Sequence, residues 1–251
     1  MTDALPPSGD FLDILRAERR DLIARLRQTR FSTLKPGYSY SQVIPVATYS
    51  PWLDDERFIA LYEAARERTL VDVYRCYELY LLASQLGKVE GDVVEVGVWR
   101  GGTGYILASV LRDRAIHLFD TFQGVPKADG KYDTLYSGGE HADTSLESVR
   151  GLFDGAGLRA AIHVGIFPDD TGDDLPERIC LAHIDVDTYV SARQCFDAAW
   201  PRLSSGGVLL FDDYGFFGCE GVAQAVGEMR EGLTDGLFVH NLNGHAIFIK
   251  K

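Results

Sequence analysis

The sequence is short of cysteine and of positive charge. Its four cysteines, Cys76, Cys180, Cys195 and Cys219, form no C-x-x-C pair, so neither a disulfide framework nor a zinc site is indicated and a reducing compartment is the default. Against 37 acids stand only 25 lysines and arginines, a net charge of -12. A nonspecific nucleic-acid binder needs a basic footprint, so that class of partner is set aside. The acidity suits a divalent-metal protein, or simply solubility. No stretch approaches the roughly 18 uninterrupted apolar residues of a membrane span, and the N-terminus lacks the basic-then-apolar order of a signal peptide. The expectation is a soluble cytoplasmic protein with no membrane partner.

What is present is enough apolar material, 46% of 251 residues, for one large α/β domain with or without a helical extension. The chain is organised around Val93 to Gly104. Val93, Val94 and Val96 carry Glu95, then break into glycines at 97, 101, 102 and 104, and an apolar segment follows from Tyr105 to Leu111. Strand, glycine turn and helix bring backbone N–H groups and a helix N-terminus against a ligand. The dinucleotide spacing G-x-G-x-x-G is absent. An acid two residues before the first glycine, with three residues to the next, resembles instead the turn of S-adenosylmethionine-dependent methyltransferases.

Ahead of this turn, residues 1–9 hold a Pro-Pro and read as mobile. Apolar spacing predicts helices over 11–27, 54–66 and 69–86, the last capped by Thr69. Between the first two, residues 31–52 form an irregular arm rich in proline and tyrosine, suited to a neighbouring subunit, a substrate entrance or its own core. After Asp92 the pattern alternates. Strands are expected at 93–97, 115–119, 160–164, 179–186 and 206–211, helices near 102–112, 146–154, 190–202 and 219–232, and a closing hairpin at 237–240 and 245–249 around Asn243-Gly244. This is an α/β fold: a Rossmann-like, doubly wound, mostly parallel sheet with an antiparallel C-terminal edge hairpin and an N-terminal helical extension. The expected division is an arm over 1–68 and a main domain over 69–251.

Ligands in such sheets gather beyond the carboxyl ends of the strands, and those ends carry the polar chemistry. Asp120 follows the second strand, where a carboxylate can accept hydrogen bonds from ribose hydroxyls. After the third strand, Gly165 lets a flat ring lie close, Phe167 can stack on it, and Asp169 or its neighbours can meet an amino group. Asp185, Asp187, Asp212 and Asp213 end two strands expected to be adjacent. Carboxylates crowded into one pocket repel, and a hard divalent cation such as Mg²⁺ relieves that repulsion; the competing reading has some of them capping helices. Residues 124–144 are a long polar loop, a lid or a disordered segment, in which His141 is a minor candidate base. Ser145 reads as a helix cap, and His240 and His245 receive no role.

With these residues assembled, the chain resembles the macrocin O-methyltransferase family, which methylates sugar hydroxyls on bacterial natural products. The matching strings are G-D-V-V-E-V-G-V-W-R-G-G at 91–102, D-T-F-Q-G-V-P at 120–126, S-L-E-S-V-R-G-L-F at 145–153, G-I-F-P-D at 165–169, H-I-D-V-D-T-Y at 183–189 and F-D-D-Y-G at 211–215. The resemblance implies that Glu95, Gly97 and the turn of Val98, Trp99, Arg100 and Gly101 hold the methionine portion of S-adenosylmethionine, and Asp120 the ribose. Thr69, Thr121, Ser145, Gly165, Phe167 and Asp185 complete the implied cofactor set. Asp185, Asp212 and Asp213 would ligate Mg²⁺ or another divalent cation, with Asp187 as base. The family usually has a more basic or apolar residue where His183 stands, and often Trp where Ile166 stands. The implied partners are a small-molecule sugar or glycoside and further copies of the chain in a homo-oligomer. On this reading Asp212→Ala should cripple metal-dependent activity more than folding. Competing readings are a catechol-type O-methyltransferase, an NAD-dependent oxidoreductase, which the glycine spacing disfavours, and a noncatalytic binding protein.

Overall fold

The computed structural model describes residues 9–28, 50–216, 218–241 and 243–251. The segment 1–8 and nearly all of the aromatic arm expected at 31–52 lie outside the described residues. The chain divides into two compact units, Met1–Tyr49 and Ser50–Lys251. In the first, helix α1 spans Gly9–Gln28, and Arg16 bridges to Asp13 one turn away at 3.0 Å on its exposed surface. No described helix is long and apolar enough to cross a membrane.

The division at residue 49 differs from the expected one at 68, and the cause is packing. Helix α2 (Glu56–Ala65) and helix α3 (Val73–Gln85) belong to the second unit, because Phe58 and Ala65 are buried with Cys76, Tyr80 and Ile106 in one apolar cluster. Helix α3 also starts later than expected. Its N-cap is Asp72, whose carboxylate accepts the Arg75 amide at 2.9 Å. Thr69 lies in extended backbone four positions after Ala65, and its hydroxyl accepts the Val71 amide instead.

From Asp92 the alternation is regular: β1 (Asp92–Val96), α4 (Gly102–Val110), β2 (Ile116–Asp120), α5 (Leu146–Ala156), β3 (Ala160–Val164), β4 (Ile179–Ile184), α6 (Tyr189–Ala199), β5 (Leu203–Phe211), α7 (Glu220–Gly232), β6 (Gly236–His240) and β7 (Ala246–Lys250). The strand order is β3-β2-β1-β4-β5-β7-β6. Strands β1 to β5 run parallel, and β7 is inserted antiparallel between β5 and β6. Side chains alternate across the strands. Val94, Ala182, Leu209 and Phe211 face one apolar layer with residues of α6 and α7, while Val93, Leu181, Val208 and Leu210 face another with residues of α3, α4 and α5. Order reverses between β1 and β4, so the ends of β1, β2, β4 and β5 open onto a crevice at the switch point.

Candidate active site: a cofactor turn beside an acidic nest

Gly97 follows β1 at φ +86°, and a Cβ there would stand 1.6 Å from the Asp185 carbonyl oxygen. Only glycine lets the β1 turn pass this close to the end of β4. The turn is then held by Asp120 at the end of β2. Asp120 Oδ2 accepts the amides of Val98 at 2.7 Å and Trp99 at 2.8 Å, and Oδ1 accepts the Phe122 amide at 2.7 Å. With Trp99 in the left-handed region at φ 47°, the backbone turns sharply into α4.

These elements wall a cleft of about 1070 Å³ including its open mouth. Thr69, Gly97, Val98, Trp99, Asp120, Thr121, Gly165, Phe167, Asp185, Asp187, Asp212 and Asp213 line it, all anticipated from the sequence. Five anticipated residues do not line it. Glu95 is fully buried beneath, its Oε1 2.9 Å from His183 Nδ1. Arg100 turns to the long loop, where its Nη2 donates to Asp143 Oδ2 at 2.6 Å. Gly101 is the left-handed N-cap of α4, and Ser145 caps α5 by accepting the Ser148 amide at 3.2 Å. Asp169 meets Lys127 at 2.8 Å. The long loop covers the cleft with Gly124, Val125, Pro126, Tyr136 and His141.

In the same cleft, Asp185, Asp212 and Asp213 present oxygens within 4.8 Å of one another. Adjacency explains the convergence: β4 and β5 pair with Ile184 opposite Phe211, and the chain leaves both strands at the same level. Withdrawal from water and the neighbouring Asp212 charge push the Asp185 and Asp213 carboxyls up. Asp212 behaves oppositely. Burial alone would raise it, but His245 and Arg75 outweigh burial and hold it at about 2. Arg75 Nη1 donates to Asp212 Oδ1 at 2.6 Å and Arg75 Nε to Asp72 Oδ2 at 2.8 Å. Asp187 does not share a strand face with Asp185, since β4 has ended at Ile184 and Asp187 is left-handed at φ 61°. Its Oδ1 accepts the Tyr136 hydroxyl at 2.7 Å.

A cofactor-sized turn pocket and a cation-sized acidic nest thus share one cleft at the switch point. The profile of the macrocin-O-methyltransferase (TylF) family matches residues 68–251. The chain belongs to this family. Among its relatives, a mycinamicin III 3''-O-methyltransferase of Micromonospora griseorubida is 36% identical over 166 residues, 59% of this chain and 64% of the relative. A demethyldecarbamoylnovobiocin O-methyltransferase of Streptomyces niveus is 31% identical over 57% of this chain and 59% of its own length. The alignments therefore span somewhat under two thirds of these relatives. In fold, the O-methyltransferase NovP superposes with a TM-score of 0.63 at 23% identity, covering 73% of this chain and 82% of NovP. The calicheamicin methyltransferase CalS11 superposes at 0.61 and 19% identity, covering 98% and 94%.

Three residues of this macrocin O-methyltransferase family member escaped sequence reasoning. Arg75 sits on a helix far from the acids. His245, assigned no role from the sequence, is buried with Nε2 3.0 Å from Asp212 Oδ1. Glu78 meets the other nitrogen of that ring. No local signal marks any of them. The Glu95–His183 contact follows from the β1–β4 register, in which the two residues oppose each other.

Proposed function

We propose that the chain is an S-adenosylmethionine-dependent O-methyltransferase that methylates a sugar hydroxyl of a glycosylated natural product or its sugar precursor, aided by Mg²⁺ or another divalent cation. The observation that carries this reading is the single cleft in which the Gly97–Trp99 turn and the Asp185–Asp212–Asp213 nest face the same space. Family membership over residues 68–251 supports the reaction class.

The nest fits a hard cation: its donors are carboxylate oxygens within 4.8 Å of one another, and two of them are pushed up in pKa by burial and then by the neighbouring carboxylate charges. In the reading Asp185, Asp212 and Asp213 would hold the ion, which when bound would make a coordinated hydroxyl more acidic. The protein's own groups do the rest. The Val98 and Trp99 turn, fixed by Asp120, is the seat for the methionine and ribose portions. Gly165 and Phe167, after β3, form the surface for the adenine ring. Asp187 takes the proton of the sugar hydroxyl as its oxygen bonds to the methyl carbon and the sulfur–methyl bond breaks, which leaves S-adenosylhomocysteine as the second product. The loop carrying Tyr136 and His141 shields the cleft from water.

The test is mass spectrometry of candidate glycosides incubated with S-adenosylmethionine, with Mg²⁺ and with excess chelator. A one-methyl mass gain that requires the cation is expected. Equal methylation in chelator would remove the cation from the reading, and a catechol methylated in preference to every glycoside would overturn the sugar assignment. The reading further includes a cytoplasmic homo-oligomer, and sedimentation of a monomer at micromolar concentration would contradict the assembly.

A further inference from the structure

Behind the acidic nest runs a chain of partly buried polar contacts with no part in the chemistry described above. It begins in the turn between β6 and β7, where Asn241 and Asn243 both donate to the Glu78 carboxylate, Asn243 at 3.2 Å. Glu78, on α3, accepts from Nδ1 of His245, the residue just before β7. The His245 ring is wholly buried, and its other nitrogen, Nε2, stands 3.0 Å from Asp212 Oδ1. The nitrogen makes no well-aligned hydrogen bond, so the contact is an ion-pair approach with poor angle. Arg75 reaches the same oxygen from another side.

The arrangement has a chemical logic. A carboxylate on one ring nitrogen fixes the tautomer and orientation of an imidazole and hence what the opposite nitrogen presents. A buried histidine with both nitrogens against carboxylates is therefore immobilised from two directions. Asp212, approached through Oδ1 by His245 and by Arg75, has little freedom to rotate. A cation site is only as good as the orientation of its ligands, and the groups behind them set it.

We propose that His245, braced by Glu78, is a positioning residue that fixes Asp212 in the orientation needed for divalent-cation binding. The proposal rests on the reading of Asp185, Asp212 and Asp213 as cation ligands, and it makes a prediction of unexpected sign. If His245 were merely a positive neighbour of the nest, its loss would relieve repulsion and tighten cation binding. As a positioning residue, its loss loosens binding.

The experiment is titration of the full-length protein with Mn²⁺, followed by electron paramagnetic resonance of the free ion, with S-adenosylmethionine affinity measured in parallel. His245→Ala is expected to weaken Mn²⁺ binding by roughly 10–100-fold, while cofactor affinity, set at the Asp120 end of the cleft, stays within about twofold. Because His245 is buried and its variant can fail to fold, Glu78→Gln provides the second measurement. It keeps the shape of the half-buried side chain, removes the negative charge that braces the His245 ring, and is expected to weaken Mn²⁺ binding several-fold at unchanged denaturation midpoint. Binding by Glu78→Gln within twofold of the unmodified protein, or tighter binding by a folded His245→Ala, would overturn the proposal. A different result separates the two layers of inference: if the unmodified protein and Asp185→Asn both fail to bind Mn²⁺, the cation site itself is refuted and the positioning role goes with it.

Discussion

The Tyr136 hydroxyl donates to Asp187 Oδ1 over 2.7 Å, joining the loop over the cleft to the candidate base. Asp187 occupies the left-handed backbone region at φ 61°, a conformation an L residue keeps only when its surroundings over-determine it. Withdrawal from water and then the Asp187 charge push the Tyr136 phenol up, so the hydroxyl is a firm donor at neutral pH. Tyr136→Phe keeps the ring and removes only that donor. A hydrogen bond to a charged group contributes about 1.5–3 kcal/mol, so kcat should fall roughly ten- to a hundredfold with S-adenosylmethionine affinity unchanged. Asp187→Ala should abolish turnover and also retain the cofactor. Both are read from initial rates beside a fluorescence titration. Tyr136→Phe at full kcat would show that the contact carries nothing in the reaction.

Asp212 is better described as the anchor of two buried cations than as a free ligand. Arg75 reaches its Oδ1 at 2.6 Å with both side chains nearly inaccessible, and His245 stands at 3.0 Å. The sequence alone led to the expectation that Asp212→Ala would impair activity far more than folding. The structure argues for a second effect of similar weight, since removing one partner of a buried charge pair leaves the other uncompensated, at about 3–5 kcal/mol. Asp212→Ala should lower the chemical-denaturation stability by that order, whereas Asp185→Ala, which leaves the contacts of Arg75 and His245 with Asp212 in place, should lower it much less. Equal, small losses for both would mean that Arg75 and His245 find other partners.

The two variants also mark what the sequence disclosed. Strand ends were legible because polar residues interrupt apolar runs there, and β3 falls at 160–164 as read. The convergence of Asp185, Asp212 and Asp213 followed from adjacency of β4 and β5, which the alternating pattern implies. Arg75 was not legible. It lies 137 positions from Asp212, on a helix whose residues look like ordinary surface charge and core until α3 is docked. His245 hid for the same reason: a histidine flanking a glycine turn received no role from the sequence, and in the fold it precedes β7, which pairs with β5, and is buried. Glu95 was assigned to the cofactor by the family resemblance; its side chain contacts His183 on the neighbouring strand. The boundary at residue 49 was invisible because Phe58 and Ala65 declare their partners only through packing against α3 and α4.

The four cysteines are all free and buried. Burial pushes each thiol up, and for Cys219 the nearby Asp213 and Asp187 charges add to the effect. A protonated, enclosed thiol is a poor nucleophile and a poor ligand, so Cys219 adds nothing to a hard-cation site although its sulfur lies within 4.8 Å of ligand atoms of Asp187 and Asp213. Ellman's reagent at neutral pH should label no thiol within minutes in the folded protein and all four in guanidinium. A single fast thiol in the native state would contradict the packing around it.

Glu140 supplies a test of the loop itself, with a definite sign. Its Oε1 accepts the Ser137 amide and hydroxyl, each at 2.8 Å, and Oε2 accepts the Gly138 amide at 2.9 Å. These donors, the Ser137 amide foremost, hold the carboxyl at about 2 against an ordinary value of 4.5. A folded-state pKa below the unfolded one means that the carboxylate's stabilisation of the turn is complete above about 4.5 and is lost as pH falls through about 2. The side chain is solvent-accessible, so the energetic effect is small and a local probe suits it better than a global one. Amide proton shifts of Ser137 and Gly138, followed by NMR on labelled protein, should titrate together with a midpoint well below the ordinary carboxylate range, and Glu140→Gln should abolish that titration. A midpoint near 4.5 would mean that the carboxylate does not hold these amides in solution, and the loop would then lose one of the contacts that set Tyr136 over Asp187.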